Sequence, residues 1–589
     1  MRPLSLSALS SCAPTSQQST IANAYVTKEL PIAQDGLLAN IGPNGAKSSG
    51  AYPGIVIASP STSNPDYLYT WTRDSSLVFK ALVDQLIASG GSTMSMSSLI
   101  DTFVTAEANI QQVTSPSGNV TTGGLGEPKF MINETAFTGA WGRPQRDGPA
   151  LRATTLITYA NWLLQQDNVF YVTSALWPVI QLDLDYVASS WNLSTWASSV
   201  LFLGRFNHVS LPSRYDLWEE VYAYSFFTSA VQHRALREGS ALAATLGHSD
   251  LESNYASQAD RLLCFLQSFW NSTSGYIVAN PGVQRSGIDA NTVLASIHTF
   301  DVDAGCDATT YQPCSDKALA NLKVYVDSFR GVYTINSGVP ENGAVATGRY
   351  FEDVYQGGNP WYLTTFAVAE QLYDALIVWD NQGYLDVTDV SLDFFRTFDV
   401  SVSTGTYTAS GSTYGMLMCA IQSFADGFVA INANYTPSDG SLAEQYSRTD
   451  GIPVSAVDLT WSYASALTAF AALEGQPPVT WGAQALSVPS TCYSPVSVTF
   501  NVDATTVFGE NIYLTGSLPT LSSWDASTAI PMSSANYPIW STTASLPADT
   551  PIQYKYIRKD ANSVIWESDP NNAFTTVASG SQTLDDLWR

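Results

Sequence analysis

The sequence predicts a mainly α-helical protein with two domains, a large helical one over residues 19–490 and a small antiparallel β-sandwich over residues 493–589. Three observations support this fold class. A chain of 589 residues is too long for one ordinary domain. Apolar residues recur with helical spacing up to about residue 490. After Cys492 they alternate with a period of two, which is typical of strands.

Six segments of the larger domain carry the strongest helical periodicity. We predict helices over residues 77–89, 151–166, 219–239, 257–270, 361–379 and 457–473. Long loops rich in Gly, Pro, Trp and Asp separate them, and no strand pattern lies between them. Helices joined by such loops favour a barrel or bundle whose loops gather at one end and carry the function.

Short strands account for the pattern of the smaller domain. Apolar residues alternate at Val498, Phe500 and Val502, and again at Ile512 and Leu514, with turn residues between the two runs. This pattern favours a β-sandwich of about 100 residues. Because no long Ser/Thr-rich linker precedes it, we expect the two domains to lie close together.

The charge balance restricts the partners of the chain. Lys and Arg number 25 against 51 Asp and Glu, so the net charge is −26. Such a charge repels nucleic acid and anionic membranes and suits a neutral substrate. No segment approaches the roughly 20 apolar residues of a membrane span. We therefore expect no nucleic acid or membrane partner. We also expect no cofactor, no bound metal and a monomer.

Several features indicate a secreted, extracellular glycoprotein. Residues 1–18 resemble a weak signal peptide, with Arg2 before a short, Ser-interrupted apolar run. Glycosylation acceptor sequences occur at Asn119, Asn133, Asn192, Asn271 and Asn434.

The six cysteines are consistent with a few structural disulfides. Cys306 and Cys314 bracket a short loop, and Cys264 and Cys492 can tie the large domain to its C-terminal end. Cys419 stands in an apolar helical run, where we expect a buried thiol.

One acidic segment is the most informative stretch of the chain. Tyr215 is followed by DLWEEV at residues 216–221 and SFF at residues 225–227. Asp216 and Glu219, ahead of an apolar run, have the spacing of a capping box at a helix start. Glu220, however, adds a second carboxylate that a cap does not require. A catalytic role and a purely structural one both remain open at this point.

Together with five other motifs, this segment resembles glycoside hydrolase family 15, the family of the fungal glucoamylases. The other motifs are NPDYLYTWTRD at residues 64–74, GEPKF at 126–130, WGRPQRDG at 141–148, GRYFED at 348–353 and LAEQY at 442–446. The resemblance implies an (α/α)6 barrel and a secreted, exo-acting, inverting enzyme. Such an enzyme releases glucose from the non-reducing ends of starch, amylopectin and malto-oligosaccharides, more slowly at α-1,6 branches.

Inverting hydrolysis needs one carboxyl group to protonate the leaving oxygen and another, about 6.5–9.5 Å away, to activate water. By resemblance, Glu219 is the acid and Glu444 the base. Asp216 is a lesser candidate. If both stand on one helix face, Asp216 is too close to Glu219 to act across a sugar ring from it. We therefore expect Asp216 to orient the Glu219 carboxyl group or to influence its charge.

The same motifs supply candidate sugar-binding residues. They are Tyr67, Trp71, Arg73, Asp74, Trp141, Leu217, Trp218, Glu220, Arg349, Asp353 and Trp361. Charged groups suit sugar hydroxyls, and Trp rings stack on sugar faces. For Arg73 and Asp74 the alternative is a buried ion pair, which is compatible with sugar binding. Phe137 stands where the family often has Tyr, so one hydroxyl contact is absent here.

The C-terminal domain resembles the starch-binding modules of carbohydrate-binding family 20. By this resemblance, one glucan site comprises Trp524, Lys555, Trp566 and Asn571. A second site comprises Tyr513, Tyr537 and Trp540. The alternative for each aromatic residue is the sandwich core, but neighbouring Pro or acidic residues at strand ends favour exposure of Trp540 and Trp566.

Residues 196–214 (WASSVLFLGRFNHVSLPSR) have almost no counterpart in the family resemblance. Joining Thr195 directly to Tyr215 restores the expected spacing, so this segment is predicted to be an insertion, either a translated intron or a genuine loop extension. The insertion motivates a second hypothesis, an inactive starch-binding protein. A third is a related exo-glycosidase with another linkage preference, which the starch-binding module disfavours.

Overall fold

The computed structural model describes residues 16–91, 94–192, 194–195, 211–212, 215–489, 492, 495–548, 550–560, 563–577 and 580–589. The helices of this part of the chain are α1 (Gln17–Ala39), α2 (Thr72–Ala88), α3 (Met94–Gln111), α4 (Asp147–Gln165), α5 (Val169–Tyr171), α6 (Trp177–Ser190), α7 (Phe226–Thr245), α8 (Ser249–Leu266), α9 (Asn291–His298), α10 (Asp316–Ser328), α11 (Tyr362–Gln382), α12 (Leu392–Arg396), α13 (Ser412–Tyr435) and α14 (Thr460–Leu473).

Twelve of these helices form two concentric rings. In the inner ring α2, α4, α7, α9, α11 and α14 pack in that order, and α14 returns to α2. In the outer ring α1, α3, α6, α8, α10 and α13 pack on α14, α2, α4, α7, α9 and α11 respectively. The arrangement is an (α/α)6 barrel, which confirms the fold class expected from the family resemblance.

The side chains explain which helices lie inside. Residues 362–379 of α11 are all buried, as an inner helix requires. In contrast, α8 buries one stripe that includes Tyr255, Ala259, Leu262 and Leu266, the spacing of a helix with one apolar face. Gly36 permits α1 to approach α14 closely, because a Cβ there would lie 2.6 Å from the Tyr463 ring.

Five of the six predicted helices occur, with shifts at their ends. The remaining one, predicted over residues 219–239, does not begin at Glu219. Residues 215–222 form a tight hairpin in which the Asp216 amide donates to the Val221 carbonyl (3.0 Å). The helix α7 begins at Phe226, and Ser225 caps it by accepting from the Thr228 amide. The capping box that was the structural alternative for Asp216 and Glu219 therefore does not form, and the predicted helix start at Glu219 is wrong. Glu219 has a φ of +66°, which a right-handed helix excludes.

Paired two-residue strands connect loops of the barrel. They are β1 (Thr70–Trp71), β2 (Lys129–Phe130), β3 (Ser194–Thr195), β4 (Leu211–Pro212), β5 (Trp270–Asn271), β6 (Tyr276–Ile277), β9 (Gln445–Tyr446) and β10 (Pro453–Val454), with β7 (Tyr384–Val387) and β8 (Gly405–Thr408) forming a longer hairpin. Apart from the β4 pairing with β3, the predicted insertion at residues 196–214 lies outside the described residues.

The C-terminal domain is a sandwich of two sheets. Its strands are β11 (Pro495–Asp503), β12 (Asn511–Gly516), β13 (Ile530–Pro531), β14 (Ser533–Asn536), β15 (Ile539–Pro547), β16 (Pro551–Lys559), β17 (Val564–Trp566), β18 (Asn572–Thr575) and β19 (Ser581–Leu587). One sheet has the order β14-β15-β11-β19, and the other has β13-β12-β16-β17, with β18 also on β16. The pairing is antiparallel except between β11 and β19.

One disulfide joins distant parts of the chain and another closes a short loop. Cys264 bonds to Cys492 and Cys306 to Cys314, which confirms both predicted pairings. Cys419 is also disulfide-bonded, so the prediction of a free buried thiol is wrong. Cys419 is half-buried on the outer helix α13.

Among the described residues, one helix, α13, is both long enough and apolar enough to span a membrane, judged by length and composition alone. The prediction that no segment approaches this length is therefore wrong for α13. In this fold 56% of its most apolar window is buried, and the helix packs on α1 and α11. Its apolar side chains thus belong to the barrel core.

Candidate active site

A cavity of about 580 Å³ opens at the end of the barrel where the inner helices begin. Trp71 and Trp361 precede the first residues of α2 and α11, and Trp461 stands in the first turn of α14. Loops between the helices complete the wall. The predicted residues that line it are Tyr67, Trp71, Arg73, Asp74, Trp141, Leu217, Trp218, Glu219, Glu220, Arg349, Trp361 and Glu444.

Glu219 is held by two donors from the start of α2. One oxygen, Oε1, accepts from the indole Nε1 of Trp71 (2.8 Å) and from Nη2 of Arg73 (3.1 Å). Glu219 stands at the tip of the hairpin, and its backbone is left-handed where its carboxyl group faces these two donors. The family motif around Trp71 and Arg73 and the acidic segment, although 146 residues apart, therefore meet at one carboxyl group.

Arg73 is the centre of a buried ionic cluster. Besides Glu219, its guanidinium contacts Asp147 (3.1 Å), Asp74 (3.5 Å) and the Gln145 side chain (2.9 Å). Burial raises the pKa of Asp74 to about 6, although Arg73 opposes the shift. The Arg73–Asp74 ion pair considered from sequence is thus present and also lines the cavity. Asp147 was missed, although it stands in one of the quoted motifs.

Glu220 points away from Glu219 and toward positive groups. Its oxygens accept from Arg349 (2.7 Å), Arg285 (2.8 Å) and the Tyr350 hydroxyl. Burial acts to raise the pKa of Glu220, but Arg349, Tyr350 and Arg285 outweigh it and hold the pKa below its usual value. Asp353 does not line the cavity. It fixes Arg349 instead, through two hydrogen bonds of 2.7 and 2.8 Å.

Glu444 lies buried in the same cavity, in the loop before β9. Its carboxyl group accepts from the Ser455 hydroxyl and from the Gln445 amide (2.9 Å). Burial raises the pKa of Glu444 to about 7, while Ser455, Arg349 and Tyr67 act to lower it.

Asp216 lies behind the cavity wall and is fully buried. Its Oδ1 accepts from the backbone amides of Glu220 (3.0 Å) and Val221 (3.2 Å), which closes the hairpin. Burial raises the pKa of Asp216 to about 6. The expected placement on one helix face with Glu219 is wrong, because no helix forms here. Asp216 shapes the turn that presents Glu219.

Aromatic rings cover much of the remaining wall. Trp71 lies edge-on to Trp141 (5.9 Å) and Tyr67 (5.4 Å), and Trp218 lies 5.7 Å from Trp361. Sequence reasoning did not select Lys129, Tyr355 or Trp461, which also line the cavity. Lys129 belongs to one of the quoted motifs, whereas nothing in the sequence distinguished the other two.

In the C-terminal domain the predicted glucan-binding residues divide between surface and core. Trp566 (41% exposed) and Tyr537 (52%) are accessible. Trp540 is 3% exposed, and its Nε1 donates to the Ala504 carbonyl, so its predicted exposure is wrong. Alternation along β15 explains this, because Trp540, Ala544 and Leu546 all point inward.

The remaining module residues are placed as follows. Tyr513 shares an outward-facing row with Trp566, since both are in register with Ile557 of β16. The Lys555 ammonium is tied to the Glu567 carbonyl and to Asp569, and the Asn571 amide donates to Gln553. Trp524 is half-buried. Sequence reasoning missed Val507 and Phe508, which are exposed close to Thr506, where the Tyr537 hydroxyl makes a hydrogen bond.

Known proteins match both domains of the chain. Residues 31–198 and 206–471 match the model of glycosyl hydrolases family 15, and residues 495–586 match the starch binding domain model. The chain is 57% identical to Glucoamylase-1 of Schizophyllum commune, covering 100% of this chain and 99% of the relative. It is 46% identical to the glucoamylase of Neurospora crassa, with 96% and 94% covered.

Solved structures give the same result. The family 15 glucoamylase from Hypocrea jecorina matches with a TM-score of 0.75 and 44% identity, covering 96% of this chain and 100% of that one. The Hormoconis resinae glucoamylase matches with a TM-score of 0.73 and 43% identity, with 96% and 98% covered. Sequence motifs, barrel topology and these relatives together show that the chain belongs to glycosyl hydrolases family 15.

Proposed function

We propose that the protein is a glucoamylase, a secreted inverting enzyme that releases β-D-glucose from the non-reducing ends of starch and malto-oligosaccharides. The observation that carries the proposal is the presence of two carboxyl groups, Glu219 and Glu444, in one aromatic-lined cavity. Relatives named glucoamylase match the whole chain, which supports the same activity.

The two carboxyl groups have different roles in this proposal. Glu219 donates a proton to the leaving glycosidic oxygen, and Arg73 and Trp71 stabilise the carboxylate that results. Glu444 accepts a proton from the attacking water, while Ser455 and Gln445 fix its orientation. Attack from the face opposite the leaving group inverts the anomeric carbon.

The polar side chains deep in the cavity suit a terminal glucose. Arg349, held by Asp353, and Arg73, held by Asp74, present fixed donors to sugar hydroxyls, and Asp74 adds an acceptor in the cavity wall. Trp218 and Trp361 supply apolar surface beside them. Recognition of one chain end by such groups supports exo action.

The second domain is proposed to hold the enzyme on starch. Trp566, with Trp524, Lys555 and Asn571 from the same predicted site, is the stronger candidate surface. Tyr537 and Phe508 supply a second exposed aromatic patch. Disulfides and five glycosylation sequences support secretion and an extracellular location.

Substitution of the two carboxyl groups tests the catalytic assignment. Glu219→Gln and Glu444→Gln should each lower kcat on soluble starch by about 10²–10⁴-fold, since each removes one proton-transfer partner. Glu341→Gln is the matched control, because Glu341 is exposed and neither it nor its ion-pair partner Lys323 lines the cavity. Turnover near that of the wild type in either active-site variant, or α-glucose as the first product by polarimetry, contradicts the proposal.

A further inference from the structure

The two residues that flank Glu219 in the chain are both held by one short segment before α9. The Nε1 of Trp218 donates to Oδ1 of Asp289 at 2.8 Å. On the other side of Glu219, the guanidinium of Arg285 donates to Oε2 of Glu220, also at 2.8 Å. Asp289 and Arg285 do not line the cavity, so any effect on the reaction must pass through these neighbours.

The segment 285–289 is itself anchored to the barrel. Asp289 is buried and accepts from the Asn291 amide (2.8 Å), and its carbonyl accepts from the Thr292 hydroxyl (2.8 Å) at the start of α9. Next to it, the Ala290 amide donates to the Arg349 carbonyl (2.7 Å). Through Asp289, these hydrogen bonds fix the position of Trp218 relative to the inner helix α9.

Glu219 needs such support because of its backbone. Its φ of +66° lies in the left-handed region, which is unfavourable for a residue with a side chain. A strained conformation of this kind persists only where surrounding contacts over-determine it. Asp216 holds the hairpin from behind, through the amides of Glu220 and Val221, but it does not fix the side chains on either side of Glu219.

We propose that Arg285 and Asp289 are positioning residues that form a clamp on Trp218 and Glu220 and so keep the Glu219 carboxyl group aimed at the glycosidic oxygen. This clamp rests on the proposed role of Glu219 as the acid. It differs from a general structural role in one respect, because its loss should impair proton donation more than it impairs the rest of the reaction.

Two substrates with different leaving groups separate these roles. Hydrolysis of maltose requires protonation of a sugar oxygen, whereas fluoride leaves α-D-glucosyl fluoride with little help from an acid. Asp289→Ala should lower kcat on maltose about tenfold and leave kcat on the fluoride within about twofold. Asp289→Asn should restore most of the maltose activity, because its amide oxygen still accepts from Trp218.

A double-mutant cycle tests whether Asp289 acts through Trp218. The Trp218→Phe background lacks the indole donor. In that background, Asp289→Ala should lower kcat on maltose by less than about a further twofold. Equal losses on maltose and the fluoride, or an undiminished loss in the Trp218→Phe background, overturn the clamp.

Two further variants keep the test decisive. Arg285→Gln probes the other arm at a partly exposed side chain, and it should show the same substrate pattern at an unchanged melting temperature even if Asp289→Ala folds poorly. Glu219→Gln is measured on both substrates. If it loses equally on both, the acid assignment itself fails. If Glu219→Gln keeps its kcat on the fluoride, but Asp289→Ala and Arg285→Gln both lose kcat on it, only the clamp fails.

Discussion

A buried ionic triad in the barrel wall offers a test of what holds the fold together. Arg152 on α4 is 1% exposed. Its guanidinium donates to Glu107 on α3 (2.7 Å) and to both oxygens of Asp183 on α6 (2.6 and 2.7 Å). One side chain therefore joins an inner helix to two outer ones, away from the cavity.

Replacing Arg152 by Met keeps much of the volume but leaves two buried carboxyl groups without a cation. Breaking a buried ion pair in this way costs about 3–5 kcal/mol. Unfolding entropy of about 2 cal/mol/K per residue gives about 1 kcal/mol/K for a domain of this size, so we expect Tm to fall by about 3–5 °C at pH 7.

The loss should depend on pH in a defined direction. Burial already raises the pKa of Glu107 and Asp183 in spite of Arg152. Without the guanidinium both pKa values rise further, so a larger fraction of both groups is protonated at pH 4 than at pH 7 and the penalty is smaller at pH 4. Scanning calorimetry at pH 4 and pH 7, at one scan rate, measures the difference.

The control combines Arg152→Met with Glu107→Gln and Asp183→Asn, which removes every charge of the triad. This triple variant should recover part of the lost Tm at pH 7, because no buried charge remains. An equal loss at both pH values, or no recovery in the triple variant, refutes the reasoning.

Three further predictions concern the domains, the acidic hairpin and the insertion. Truncation after Cys492 should leave hydrolysis of maltose and soluble starch nearly unchanged but reduce adsorption to raw granules, because the module supplies local concentration rather than chemistry; equal granule binding contradicts this. Burial raises the pKa of Asp216 from 3.8 to about 6, so the folded state keeps a proton that the unfolded state releases. Stability should therefore fall by about 3 kcal/mol as the pH rises from 4 past 6, and denaturant unfolding of Asp216→Asn should lack that fall. If residues 196–214 are a translated intron, their deletion should raise both specific activity and Tm, since a 1 Å displacement of a catalytic group can cost about 10²-fold; identical specific activity and Tm in both forms disproves the intron hypothesis.

Periodicity in the sequence was sufficient for a mainly helical first domain and a β-sandwich second domain, whereas the family resemblance supplied the barrel and much of the cavity. Helical and strand periodicity separated the two domains, because each period reports which face of an element is buried. The motifs around Trp71, Trp141, Arg349 and Glu444 identified residues that do share one cavity. Cysteine positions suggested the two disulfides Cys264–Cys492 and Cys306–Cys314, which both form.

Only the tertiary structure decided how those residues are oriented. The spacing of Asp216 and Glu219 suits a helix start, yet Ser225 supplies the cap and a hairpin turns Glu219 toward Arg73. Strand alternation placed Trp540 in the core, although its neighbours in the sequence favoured exposure.

The supporting contacts were also beyond the reach of local patterns. The hydrogen bond between Asp289 and Trp218 joins residues 71 positions apart, and the ion pair of Arg285 with Glu220 joins residues 65 apart. Sequence periodicity reports burial within one element, whereas these partners are chosen by the packing of the inner helices. The sequence by itself therefore determined the elements and most of the cavity-lining residues. The closed ring of helices decided which side chains hold Glu219 in place.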